Sequence, residues 1–399
     1  MGVQTIPTEI LVQIFSSLSS PDLLRTSRVS RRIRAISLPL LYSSLSLHTT
    51  EDIGVNPTPI STLEKLLRTV LAPGGEALAA HVNTLNLFWA HSGTTNEEPQ
   101  PLQPLTQMAL ALHDLTPNGQ VVLLLSRLPN LRVFDVTPNF TGTWSFNDFA
   151  LELIATEPSF PSAFHSLREV RFTPRRTEFG VNEDTLLVLL QLPSIDCIDI
   201  YLHITSDIEP EYGEGLSSTV TKLSLWNDGI EANELATILK IPRALTHLSC
   251  TSPMDENFNN AMQPVRGSLQ YLHLAPLYNA NAPPELGSLR GWAELRSVQC
   301  ILSHLLGRAF LGVRHLVDVL PAGIRELGIM DREDEDFPRV VEEVVALLER
   351  KAELVPGLKR LTVDMPAGED VDILVRACGA AGVLLCSQGV FGDAFVADA

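Results

Sequence analysis

The sequence predicts an α/β chain in two parts, a short three-helix module over residues 1–48 and a long succession of parallel strands and helices over residues 49–399. Three observations carry this division. The first 50 residues hold five arginines against two acids, a net charge of +3, while the whole 399-residue chain stands at −18. Apolar residues in that opening segment recur at helical spacing. Beyond residue 80 a different pattern takes over, an apolar triad at i, i+3 and i+5 that returns along the rest of the chain.

Within residues 6–18, Ile10, Leu11, Ile14, Phe15 and Leu18 form one stripe of a helix. Pro7 suits its first turn, where a missing N–H leaves no bond unmade. Ser20-Pro21-Asp22 is a second start signal, a capping hydroxyl, a proline and an early acid ahead of Leu23 and Leu24. A third helix is expected from Val29, with Val29, Ile33 and Ile36 on one face and Arg31, Arg32 and Arg34 elsewhere. Three helices this short bury too little area to conceal all their apolar surface from water. A partner is needed to cover the remainder.

The order of these residues resembles the F-box family, which opens on a hydrophobic residue, Pro, any residue, Glu and Ile or Leu. An Ile-Phe/Leu pair, Leu, Asp-Leu and Val-Ser/Cys-Arg/Lys follow. Here these are Ile6-Pro7-Thr8-Glu9-Ile10, Ile14-Phe15, Leu18, Asp22-Leu23 and Val29-Ser30-Arg31. The exit segment SLPLLYSSLSL is of the kind common in fungal members. Ile6 replaces the usual Leu, and Ile33 stands where the family commonly has Trp or Phe, removing an aromatic from either the adaptor-facing surface or the core. The resemblance implies a Skp-type adaptor, bound through Ile6, Pro7, Ile10, Leu11, Ile14 and Phe15, and through it a cullin. Which of the six face the adaptor and which the module's own core is left open by the sequence. A substrate-recognition subunit of a Skp-cullin-F-box ubiquitin ligase is implied, with a scaffold that uses the F-box outside any ligase as the alternative.

In the body the triads are Val82/Leu85/Leu87, Leu131/Phe134/Val136, Leu167/Val170/Phe172, Ile195/Ile198/Ile200, Val220/Leu223/Leu225, Leu245/Leu248/Cys250, Leu269/Leu272/Leu274, Leu295/Val298/Cys300, Ile324/Leu327/Ile329 and Leu358/Leu361/Val363. Tyr42/Leu45/Leu47 is a candidate eleventh at the exit of the helical module. Helical stretches lie between them, with start signals at Ser61-x-x-Glu64 and Ser145-x-x-Asp148 and an apolar face in residues 340–354. Alternation of this kind predicts a parallel sheet, because parallel strands need long crossovers. The Leu-x-x-Leu-x-Leu core and its period resemble leucine-rich repeats, in a degenerate and irregular solenoid with strands inside and helices outside. Only Asn139, with Asp228 as a substitute, fits the ladder position that this family fills with Asn or Cys. A closed (β/α) barrel is the alternative, against which ten or eleven strands exceed the eight it uses.

If the solenoid holds, residues at i+2, i+4 and i+6 line its concave surface. That places Asp199 and Tyr201, Lys222 and Trp226, His247, and Tyr271 and His273 in one stripe for a protein substrate. Aromatic residues with scattered charge suit the centre of a protein interface. The residues between 92 and 104 and the acidic run Asp331–Asp336 read as exposed loops, the latter also a docking site for a basic ligand.

Composition and motifs exclude much else. An acidic body repels nucleic acid and anionic membranes. Five cysteines without a CxxC pair suggest neither zinc nor a disulfide framework, and Cys250 and Cys300, at inward triad positions, should be inert. No signal-peptide pattern and no long apolar run occurs, so a cytoplasmic or nuclear location is expected. Phosphate-binding, nucleophile-elbow, zinc-protease and dinucleotide motifs are absent, and the ten histidines are scattered. The sequence therefore predicts no metal, no cofactor and no enzymatic activity.

Overall fold

The computed structural model describes residues 6–50, 62–90, 117–138, 164–173, 181, 183–202, 215–226, 230–251, 258–275, 286–306, 315–330, 337–363 and 369–387. Asn139, Asp228, the Ser145–Asp148 start signal, residues 92–104 and the acidic run 331–336 lie outside them. The chain divides into two compact units, residues 1–203 and 204–399.

The first unit opens with three helices, α1 (Thr8–Ser16), α2 (Ser20–Thr26) and α3 (Arg31–Ser43). The third begins two residues later than the apolar spacing suggests. Ser30 takes an extended conformation and its hydroxyl accepts from the Ile33 N–H at 3.2 Å, so the cap stops the helix short of Val29. Five parallel strands follow, β1 (Ser44–Thr50), β2 (Thr84–Ala90), β3 (Val133–Pro138), β4 (Glu169–Phe172) and β5 (Cys197–Tyr201). They pair in chain order. Because β1 starts directly after α3, the expected boundary at residue 48 falls inside a strand that already belongs to the sheet.

The second unit continues the pattern with β6 (Lys222–Trp226), β7 (His247–Thr251), β8 (Tyr271–Ala275), β9 (Ser297–Ile301), β10 (Glu326–Met330), β11 (Arg360–Val363) and β12 (Leu384–Ser387). These too are parallel neighbours in chain order. In neither unit does the last strand return to the first, so neither is a closed barrel.

Register follows the triads. Leu85 stands opposite Phe134 and Phe134 opposite Val170 in the first unit, as Leu223, Leu248, Leu272 and Val298 do in the second. All of these side chains are buried. The crossovers add their own apolar faces, such as Leu63, Leu67 and Val70 of helix Thr62–Leu71, and Val340, Val344 and Leu347 of helix Phe337–Glu349. Glu343 interrupts that last face. Its buried carboxylate accepts from Arg339 at 3.1 Å, from His315 Nδ1 at 2.9 Å and from the Leu316 N–H at 3.1 Å, which turns a costly buried charge into the cap of the short helix Leu316–Val319.

Two backbone devices repeat with the triads. At eight of the strands, β2 to β4 and β6 to β10, a single carbonyl just ahead of the strand accepts two successive N–H groups from the next repeat. Asn83 accepts from Arg132 and Val133 at 2.7 and 3.0 Å, and Thr246, Gln270, Arg296 and Arg325 do the same for their successors. A carbonyl has two lone pairs, so both bonds are made at full value. Ahead of the triad, a tight turn closes from its first apolar N–H to the carbonyl three residues back, as in Leu131 to Leu128, Ile195 to Leu192, Leu295 to Trp292 and Leu358 to Val355. A fourth apolar position is thereby fixed three residues before each of these triads.

The twelfth strand was not visible in the triads, because its corresponding positions hold Gly382, Leu385 and Ser387. Gly382 has φ +62°, a conformation that other residues resist. Being last, β12 leaves Leu384 60% exposed. A contrast follows: Leu272→Ala, inside the sheet core, should lower the unfolding free energy by about 2–5 kcal/mol in urea melts, whereas Leu384→Ala should cost less than about 0.5 kcal/mol.

Candidate functional site

The helical module separates its apolar residues into two sets. Leu11 and Phe15 of α1 pack with Leu23, Ile33 and Ile36, and Ile6, Leu18, Leu40 and Leu41 close the cluster. Two further bonds hold the arrangement. Ser19 caps α2 through the Asp22 N–H, and an Arg32 Nη2 donates to the Ile6 carbonyl at 2.6 Å, fastening the third helix to the start of the first. Leu11 and Phe15 are therefore interior residues, 2% and 6% exposed, so of the six residues that the sequence offers for an adaptor these two lie on the core side. Ile33 is also interior, so the aromatic missing at this position is missing from the core.

The other set faces water. Ile10 and Ile14 are 45% and 47% exposed, Val12 and Leu24 are comparably open, and Val29 is 75% exposed. Pro7 is exposed at the N-cap of α1, one position ahead of the helix, and Ile6 is half-buried. Arg25, Arg28, Arg31 and Arg34 stand exposed around the α2–α3 end of this surface. Of the nine large apolar side chains that the described residues leave exposed, five lie in this module.

Residues 3–48 match the F-box-like family. The match ends within β1, so it covers the three helices and the entry to the sheet. A search of curated proteins found no relative of the chain.

Beyond the F-box, the predicted stripe falls on strand positions that alternate with the buried triads, as expected from the two-residue period. In the first unit, Asp199 lies in register with Arg171, and Arg171 with Asp135. Arg171 spends its guanidinium on Glu169 of its own strand, with Nε to Oε1 at 2.6 Å. Asp135 Oδ1 is enclosed without a hydrogen-bond partner. Burial pushes the Asp135 carboxyl above its ordinary value against the pull of Arg171, and Asp199 and Glu169 add to the rise. Tyr201, at the end of β5, is half-buried. Asp135, Glu169 and Arg171 were missed from sequence, although the same register rule applied to the earlier triads would have found them.

In the second unit, four of the predicted residues come together as two ring pairs. His247 and Tyr271 are register partners and stack with centroids 4.1 Å apart and planes 10° from parallel. Thr246 Oγ1 lies 2.8 Å from His247 Nδ1 and fixes the imidazole from behind. Trp226 meets His273 edge-on at 5.7 Å. That contact runs from β6 to β8 across β7, where Ser249 is 2% exposed although it sits on the face opposite the triads. Lys222 is exposed at the start of β6, in register with His247 but outside both ring pairs.

Burial lowers the His273 pKa to about 4, so its ring is neutral at physiological pH. On β6 to β9 the cysteines sit at triad positions, away from this face. Cys250 and Cys300 are fully buried, and burial pushes the Cys250 thiol up to about 12. No cluster of metal-binding side chains occurs among the described residues, and no helix among them is long and apolar enough to cross a membrane.

The imidazole gives a pH test. The unfolded chain takes up a proton at His273 as pH falls through 6.5, and the folded chain does so only near 4, so stability should fall across that window and level off below it. The fall should reach at most about 3 kcal/mol. Urea melts at pH 7.5, 5.5 and 4.5 should therefore show a shallower pH dependence for His273→Gln than for the wild type.

Proposed function

We propose that the chain is a substrate-recognition subunit of a Skp-cullin-F-box ubiquitin ligase, present in the cytosol or nucleus, with a leucine-rich-repeat-like body that holds a target protein. The observation that carries the reading is the set of exposed apolar side chains of the F-box, Ile10 and Ile14 on one face of α1 and Val12, Leu24 and Val29 besides, on a module whose own core is already complete without them. Ile10 and Ile14, with Pro7 and Ile6 at their N-terminal margin, are the centre of the adaptor contact. Arg28 and Arg31 stand beside Val29, so the matching adaptor face is apolar with carboxylates at its rim.

The body needs no chemistry of its own in this scheme. Holding a lysine-bearing protein near a charged ubiquitin carrier raises the effective concentration of the reacting groups, and the carrier and its ligase partners make and break the bonds. The chain is then not itself an enzyme.

The test uses residues that fold does not require. The double variant Ile10→Asp, Ile14→Asp should weaken pulldown of a Skp-type adaptor by at least about a hundredfold, since two apolar side chains worth about 1.5–3 kcal/mol each are replaced by charges. Its thermal unfolding should match the wild type within a few degrees. Undiminished adaptor binding by this variant would reject the assignment. Recovery of adaptor with the chain but never with a cullin would instead favour a scaffold outside the ligase.

A further inference from the structure

The face of β6 to β9 opposite the triads differs in charge from the rest of this acidic chain. Among its described strand residues the formal charge is Lys222 alone, and there is no carboxylate. Glu326 appears only on β10, where Arg360 of β11 answers it at 3.5 Å. In the first unit, by contrast, Asp135, Glu169 and Asp199 crowd around one arginine. A face whose described strand residues carry one lysine and no carboxylate, in a protein at −18, is a selective feature, because it holds a strongly charged ligand only weakly.

What the patch does offer is ring surface over small polar side chains. Ser224 and Ser249 are buried at its floor, the His247–Tyr271 stack forms one side, and the Trp226–His273 pair forms the other. Tyr271 remains 40% exposed, the one large apolar side chain of the second unit so exposed outside its last repeat, among the described residues. His273 Nδ1 is closed off without a hydrogen-bond partner. Rigid rings of this kind give large contact area for little conformational entropy.

We propose that this face docks an uncharged segment of a target protein, anchored by an aromatic residue or proline and recognised without phosphorylation. The inference rests on the reading of the body as the target-holding half of the molecule, and it specifies the class of target. A phosphate reader needs guanidinium groups in a fork, and this face supplies none among the described residues. The imidazole of His273 does not substitute for one, because its burial keeps it neutral. Among the described residues of β6 to β9 a lysine-rich segment finds no carboxylate either, and Glu326 of β10, which accepts from Ser297 Oγ at 3.5 Å, is already paired with Arg360.

The test is a selection of twelve-residue random peptides displayed on phage, using the full chain bound to its adaptor. Enriched sequences should be uncharged and rich in Trp, Tyr, Phe or Pro. Synthetic copies should lose at least tenfold in affinity to Tyr271→Ala, an exposed residue whose truncation spares the fold, and to Trp226→Ala. A phosphoserine added to those peptides should not tighten binding. The inference is overturned by enrichment of phosphorylation-dependent, acidic or Lys/Arg-rich peptides, by binding indifferent to both variants, or by no enrichment at all. Tyr271-dependent binding of an oligosaccharide array in place of peptides would likewise overturn it. Adaptor pulldown run on the same preparations keeps the two readings apart, since loss of peptide binding with adaptor binding intact refutes only this inference.

Discussion

One backbone carbonyl, accepting two successive N–H groups from the following repeat, sets the geometry on which the body depends. The bond pair locks the residue before eight of the strands to its neighbour, from Asn83 in the first unit to Arg325 in the second, and so fixes register before any side chain is considered. Once register is fixed, every triad residue meets the same position of the next triad, and every alternate residue joins a row on the opposite face. A slip of one residue would bury Ser249 and His273 among leucines and expose the core. The apolar triads oppose that slip by the area they bury, and the double-accepting carbonyl opposes it by hydrogen-bond geometry.

That regularity leaves the outward rows free to vary, and they vary in charge. In the first unit Asp135, Arg171 and Asp199 form a polar ladder, while β6 to β9 of the second unit carry rings and hydroxyls. The F-box obeys a different economy. Its helices are too short to bury both faces, so Leu11 and Phe15 secure the fold and Ile10 and Ile14 are left exposed.

Much of this was legible from residue spacing. The ten triads and the candidate eleventh each mark a strand, because two buried positions on a parallel strand leave an unmistakable apolar spacing. The twelfth strand escaped because Gly382 and Ser387 occupy its triad positions, so the chain geometry there is maintained by pairing with β11 and not by apolar burial. The helical stripe of α1 was equally visible, but it could not say which residues turned inward. Ile10 and Leu11 are adjacent on a helix, about 100° apart, and only the placement of α2 and α3 decides that Leu11 is covered and Ile10 is not.

The central claim is that the F-box carries an open apolar surface made for an adaptor, on a core that is already closed. Hydrogen exchange of the full chain, with and without a Skp-type adaptor, tests it most directly. The account predicts added protection in peptides spanning residues 8–31, which hold Ile10, Ile14, Leu24 and Val29, with exchange in β6 to β9 unchanged. Exchange in residues 8–31 that is the same with and without the adaptor would contradict it.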